Sequence, residues 1–116
     1  MYNYSAKLDR VVDGDTIDLV IDIGFKMTTN QRIRLAYIDT PETFRQKHDS
    51  AEYKAGMVSK NFVIKRLEEN QNEMRIETLK DTGKYGRYIG IIWLADNDTS
   101  LNDELVKEGF AKHVEY

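Results

Sequence analysis

Apolar residues alternate with polar ones over much of this chain, and the alternation predicts strands before any other feature is considered. Tyr4, Ala6 and Leu8 make the first such series. In "IDLVIDIG", Ile17, Leu19, Ile21 and Ile23 fall on one face and Asp18 and Asp22 on the other. The stretch "VVDGDT" between them reads as a turn. A third strand carries Ile33, Leu35 and Tyr37, a fourth runs Met74–Leu79, and a fifth is the apolar "YIGIIWL" from Tyr88 to Leu94. Five strands is the count of a small barrel, and Tyr88 and Trp93 are expected to pack within it. The period becomes helical twice. A first helix is predicted from Asp49, with Glu52 as a capping-box partner, presenting Ala51, Ala55, Val58, Phe62 and Leu67 to the core and ending near Glu69. A second starts at Ser100, buries Leu101, Leu105 and Val106, and stops at Gly109, where a left-handed residue is needed. Helices packed on an antiparallel barrel make the fold class α+β.

Composition narrows what such a barrel can do. The 116 residues suffice for a single small domain, 1–116, with one core and no staples. Having no cysteine, the chain has no disulfide framework, zinc–thiolate site or thiol nucleophile. No apolar run approaches the roughly 18 residues of a membrane span, and "MYNYSAKLDR" lacks the apolar region of a signal peptide. A net charge of −3 disfavours non-specific binding to polyanions, which depends on lysine and arginine neutralising phosphates. Any nucleic-acid site must therefore be basic locally.

Three charged clusters stand apart from this scaffold. In "VDGDTI", Asp13 and Asp15 flank a glycine; in "IRLAYIDTPET", Arg34 interrupts an apolar strand that ends on Asp39, Pro41 and Glu42; in "DTGKYGRYIG", Lys84, Tyr85 and Arg87 crowd a glycine-punctuated hairpin. Each alone fits an ordinary turn or basic loop. Together they hold complementary parts of one reaction. Asp15 and Asp39 offer hard oxygen ligands that, with a carbonyl and water, suit Ca²⁺ better than zinc. Glu42 offers a base, and Arg34 and Arg87 offer planar forks for phosphate oxygens. Phosphodiester hydrolysis needs this set: a cation on the phosphate, a base for the water and positive charge for the pentacoordinate transition state. His48 and His113 are too isolated to ligate a metal together.

From about Leu8 to Lys112, through "VVDGDTIDL", "RLAYIDTPET", "KYGRYIGIIWL" and "LNDELVKEGFAK", the chain resembles the staphylococcal-nuclease-like (thermonuclease) domains in motif order and spacing. The resemblance implies a five-stranded OB-like antiparallel β-barrel with two or three packed helices. It implies a Ca²⁺-dependent phosphodiesterase that acts on DNA and RNA, cuts the 5′ P–O bond and leaves 3′-phosphates. Carried over by position, it implies that Asp15 and Asp39 bind calcium through their side chains and Thr40 through its carbonyl. Glu42 would be the general base or the carboxylate that orients the water, and Arg34 and Arg87 the phosphate and transition-state ligands. Asp13 falls where the family has an acid behind the metal ligands, and Lys84 and Tyr85 where it contacts substrate. Where the family often continues into pocket tyrosines and a further helix, this chain reads "HVEY". A monomer is expected, and the family favours a secreted or cell-surface location. The alternative is a catalytically silent module on the same barrel that binds nucleic acid or protein. It is disfavoured because Asp15, Arg34, Asp39, Glu42 and Arg87 are all present.

Overall fold

The two-residue periodicity of the first third of the chain becomes three consecutive antiparallel strands: β1 (Tyr2–Asp13), β2 (Thr16–Gly24) and β3 (Met27–Leu35). The computed structural model describes residues 2–43, 46–82 and 88–115. A short β4 (Ile38–Asp39) follows, then α1 (Ala51–Glu68), β5 (Glu73–Thr82), β6 (Tyr88–Trp93), α2 (Leu101–Lys107) and a short β7 (Lys112–His113). Five strands close into a barrel in the order β1-β2-β3-β6-β5. Four of its seams are antiparallel, while β3 and β6 run parallel, Ile33 to Leu35 opposite Tyr88 to Gly90. A parallel seam requires a long crossover, and β4, α1 and β5 supply it. Strand β1 reaches both β2 and β5 because register shifts after Leu8 and Val11 bend it.

The barrel interior is filled by the predicted alternation. Ile17, Leu19, Ile33, Leu35, Ile76 and Ile92 are completely buried, each worth about 1.5–3 kcal/mol against exposure. Strand β6 differs from expectation. Its inward positions are Gly90 and Ile92, whereas Trp93 is only partly buried and Tyr88 is 41% exposed. The interior is tight at Gly90: a Cβ there would lie 3.0 Å from Ile76 and 3.3 Å from Ile33, so those side chains would have to give by a few tenths of an ångström. Trp93 consequently packs on the outside, with its indole N–H donating to Glu77 at 2.9 Å and Arg75 5.3 Å above its ring.

Helix α1 is rotated from the predicted face. Gly56, Ser59, Val63 and Leu67 are buried, while Ala51, Ala55 and Val58 are exposed and Phe62 is partly buried against Phe110. Its cap is Ser50 rather than Asp49, the hydroxyl accepting from Tyr53 N–H at 3.1 Å. Helix α2 follows expectation, with Ser100 accepting from Asp103 N–H at 3.1 Å and Gly109 in the left-handed region at φ +81°.

Strand β3 stops at Leu35, because Tyr37 also takes a left-handed φ of +63° and turns the chain. Buried Asn102 anchors that corner. Its amide donates to the carbonyls of Ala36 (3.0 Å) and Gly90 (3.1 Å) and accepts from Ile92 N–H (3.0 Å). Beyond the corner, β4 pairs antiparallel with β7, so the chain carrying Asp39 is held by the C-terminal segment. No described helix is long and apolar enough to cross a membrane.

Candidate active site

The β1–β2 turn, the end of β3 and the strand β4 converge on one partly buried arginine. Arg34 faces outward from β3 opposite Thr16, with its side chain 18% exposed. One terminal nitrogen lies 3.3 Å from Asp15 Oδ2 and the other 3.3 Å from Asp39 Oδ1; the first also donates to the Leu35 carbonyl at 3.1 Å. Asp15 is held from three sides. Its Oδ2 accepts from Thr40 N–H at 3.1 Å, its Oδ1 from the Thr16 hydroxyl at 3.0 Å, and its own carbonyl accepts from Leu35 N–H at 2.8 Å. Asp39, nearly half exposed, lies on the solvent side of the same guanidinium.

Among the described residues, two carboxylates on one partly buried guanidinium leave a net charge of −1, which favours a cation. The donors are hard oxygens, and Thr40 adds a buried hydroxyl that has no hydrogen-bond partner among the described residues. This set fits Ca²⁺ or Mg²⁺ rather than zinc. Among the described residues no third acidic or histidine side chain joins Asp15 and Asp39, so further ligands would come from backbone or water. His48 instead stacks on Tyr53 at 4.7 Å, and His113 is exposed on β7.

The segment after β4 holds the remaining acids. Asp13 accepts a hydrogen bond from the Thr43 hydroxyl at 2.5 Å, tying the β1–β2 turn to the chain beyond Pro41. Between them, Glu42 is exposed and its carboxylate makes no contact with Asp15, Arg34 or Asp39. Its backbone N–H donates to Glu52 on α1 at 2.9 Å. Glu52 thus serves this segment instead of a capping box. Helix α1 approaches so closely that a Cβ on Gly56 would lie 2.7 Å from the Pro41 carbonyl and 2.8 Å from Thr43 Cγ2. One turn on, Ser59 donates to the Phe110 carbonyl at 2.6 Å. Sequence reasoning missed Glu52, Gly56, Ser59 and Asn102 as supports; the only signal was polar or small residues at positions facing the fold. Lys84, Tyr85 and Arg87 lie outside the described residues.

Next to Arg34 on the outer face, Arg32 is committed elsewhere. It forks onto Asp18 at 2.7 and 3.1 Å, and this hydrogen bonding holds the Asp18 carboxyl below its ordinary range.

A family profile described as "Staphylococcal nuclease homologue" matches residues 32–116. The chain is 37% identical over 109 residues to the thermonuclease of Staphylococcus intermedius, covering 93% of this chain and 58% of that protein. It is 35% identical over 110 residues to Protein ParB of Escherichia coli (88% and 52%). It is 33% identical over 112 residues to Endonuclease YncB of Bacillus subtilis (93% and 47%). The chain therefore spans about half the length of these relatives. Its closed five-stranded barrel, the acids at its rim and these matches have one reading: the chain belongs to the staphylococcal nuclease homologue family.

Proposed function

We propose that this chain is a Ca²⁺-dependent nuclease that hydrolyses phosphodiesters of DNA and RNA, cutting the 5′ P–O bond to leave 3′-phosphates. The observation that carries the reading is the pairing of Asp15 and Asp39 with the two ends of one guanidinium, beside the backbone of Thr40. Asp15, Asp39 and the Thr40 carbonyl would hold the ion. When bound, it supplies charge neutralisation at the phosphate and an acidified water. Its two charges also turn the net −1 of the cluster into +1, matching one phosphodiester. Arg34 fixes the direction of both carboxylates and presents its fork to phosphate oxygens, with Arg87 as the second cation at the transition state. Glu42, exposed and in no ion pair with a described residue, accepts the proton of the attacking water. Asp13 holds Thr43 and so the segment carrying Glu42, while Lys84 and Tyr85 contact the substrate.

The test is cleavage of a quenched-fluorophore single-stranded DNA, and of its RNA counterpart, at mildly alkaline pH in millimolar Ca²⁺ and then in chelator. Expected is cleavage that depends on Ca²⁺, together with a thermal midpoint that rises as Ca²⁺ is added. Absence of cleavage by the folded protein in both conditions would overturn the reading and favour a binding module.

A further inference from the structure

The tip of the β2–β3 hairpin is built against the rules that shape the rest of the chain. All residues from Asp22 to Thr28 are exposed, yet three of them are large and apolar: Ile23 at 43%, Phe25 at 98% and Met27 at 58% exposure. None belongs to the buried core or to the side chains packed against it. Gly24, Phe25 and Lys26 hold left-handed φ values of +88°, +53° and +63° in succession. Glycine does this freely, whereas a bulky aromatic at such a φ strains the backbone. Asparagine and glycine fill the two central positions of a turn of this kind at least cost. Phe25 therefore gives the fold no burial and opposes its local geometry. A side chain that costs the fold on both counts points to something outside the fold.

The chemistry of the tip narrows what that is. In the described pairing β1 leaves β2 after Ile21, so the tip stands as a two-stranded extension and not as a flat face. Three apolar side chains are far fewer than the roughly 20–30 residues a side of a stable protein interface, so a second copy or a folded partner would find little to hold. A bilayer interface needs no matching surface. It takes in a knob of Phe, Ile and Met, while the Lys26 stem lies along the acyl chains with its ammonium at the headgroups. The backbone suits the same place, because the hairpin pairs with itself and Asp22 Oδ1 accepts from Gly24 N–H at 2.8 Å. Asp22 and Lys26 cancel, leaving a neutral tip on a chain of net charge −3. That balance fits a zwitterionic surface and gives no attraction to an anionic one.

We infer that the β2–β3 tip docks this protein on a zwitterionic lipid surface, with Phe25 entering the interface between Ile23 and Met27. The inference goes beyond the nuclease reading and stands without it. Strand β2 runs from Thr16, the neighbour of Asp15, to Gly24, which puts the candidate site roughly 27 Å from the tip. Docking by the tip thus keeps that site off the surface and open to strands in solution. With three side chains and no acyl chain the attachment is weak and reversible, on the order of 10³ M⁻¹ against about 10⁴ M⁻¹ for one myristoyl group.

The test is cosedimentation of the whole chain with phosphatidylcholine vesicles, for wild type, Phe25→Ser and Phe25→Trp, in chelator at low and high salt. Phe25 is almost fully exposed, so neither variant endangers the fold. Expected is half-binding at about 1 mM lipid that salt does not change, at least about a tenfold loss for Phe25→Ser, and binding retained by Phe25→Trp. The new indole should shift to the blue on vesicles and be quenched by brominated acyl chains, which a contact through other residues would not produce. No binding of wild type at about 10 mM lipid, equal binding by Phe25→Ser, or an indole insensitive to brominated lipid would overturn the inference. So would binding to phosphatidylserine vesicles alone that salt abolishes. Self-association in solution that Phe25→Ser dissolves would overturn it too, by assigning the tip to a second copy. If wild type docks with the expected pattern but does not cleave, the dock stands and the nuclease reading falls.

Discussion

Substituting Gly56 by alanine sets two effects of known sign against each other. In the interior of α1, glycine to alanine ordinarily stabilises a helix by about 1 kcal/mol. Here the new Cβ would stand 2.7 Å from the Pro41 carbonyl oxygen, 2.8 Å from Thr43 Cγ2 and 3.1 Å from the Glu42 carbonyl. Ordinary contact begins at 3.4 Å, so helix or segment must retreat by about 0.7 Å. The segment is pinned on both sides, by Glu52 at Glu42 N–H and by Asp13 at the Thr43 hydroxyl, and cannot move without loosening one of them. Overpacking of this kind costs about 1–3 kcal/mol, which leaves a net destabilisation of about 0–2 kcal/mol after the helix gain. The larger effect falls on Glu42. A displacement near 1 Å costs about a hundredfold in rate, so a shift of about 0.7 Å predicts a loss of a few tens of times in kcat. Urea unfolding and cleavage of single-stranded DNA by Gly56→Ala measure both quantities. Asn61→Ala, exposed on the same helix, is the control and should gain about half a kcal/mol with full activity. A Gly56→Ala protein that gains stability and keeps wild-type kcat would refute the close approach of α1 to this segment.

Three further outcomes are expected. Glu42→Ala should lower turnover at least about a hundredfold and move stability by less than about 0.5 kcal/mol, since the side chain is exposed; turnover within threefold of wild type would remove Glu42 as the base. At the β2–β3 tip, Phe25 (φ +53°, 98% exposed) and Lys26 (φ +63°) occupy a two-residue turn that asparagine and glycine adopt at little cost. The double substitution Phe25→Asn, Lys26→Gly should therefore raise the unfolding free energy by about 1–2 kcal/mol in denaturant titration, and an unchanged midpoint would contradict the strain. Hydrogen bonds from Arg66 pull Asp96 from its ordinary 3.8 down to about 2, so its folded-state pKa is depressed and the pair stabilises fully above about pH 4. Urea midpoints of wild type and Asp96→Asn should differ at pH 7 and converge toward pH 2, whereas a constant difference would exclude linkage through Asp96.

What the sequence displayed was the barrel and the identity of the charged clusters; what it hid was the way small residues set distances. Alternation located every barrel strand, because Ile17, Leu19, Ile33 and Ile76 are large and their burial is unconditional. The face of α1 was misread by about one position, since a hydrophobic pattern counts Ala55 and Val58 and ignores Gly56 and Ser59. Those two are buried for being small. Likewise "YIGIIWL" looked apolar throughout, and only the crowding of Gly90 by Ile76 and Ile33 shows which half faces inward. Strand β7 was invisible because Lys112 and His113 are exposed and gain their pairing only from β4.

The same logic explains why an arginine stands in the apolar run "IRLAYID". Its neighbours Ile33 and Leu35 must point into the barrel, which leaves position 34 facing out, opposite Thr16 and beside the β1–β2 turn. An uncharged residue there would leave Asp15, with its side chain only 12% exposed, as a buried anion supported among the described residues by the Thr40 N–H and the Thr16 hydroxyl. That is costly, so Arg34 and Asp15 require each other for folding before either meets a substrate. Asp39 makes no such demand, since it is nearly half exposed and could be lost with little effect on the fold. Its presence on the open side of the guanidinium has no structural necessity, and it is the member of the trio that argues most directly for a cation site.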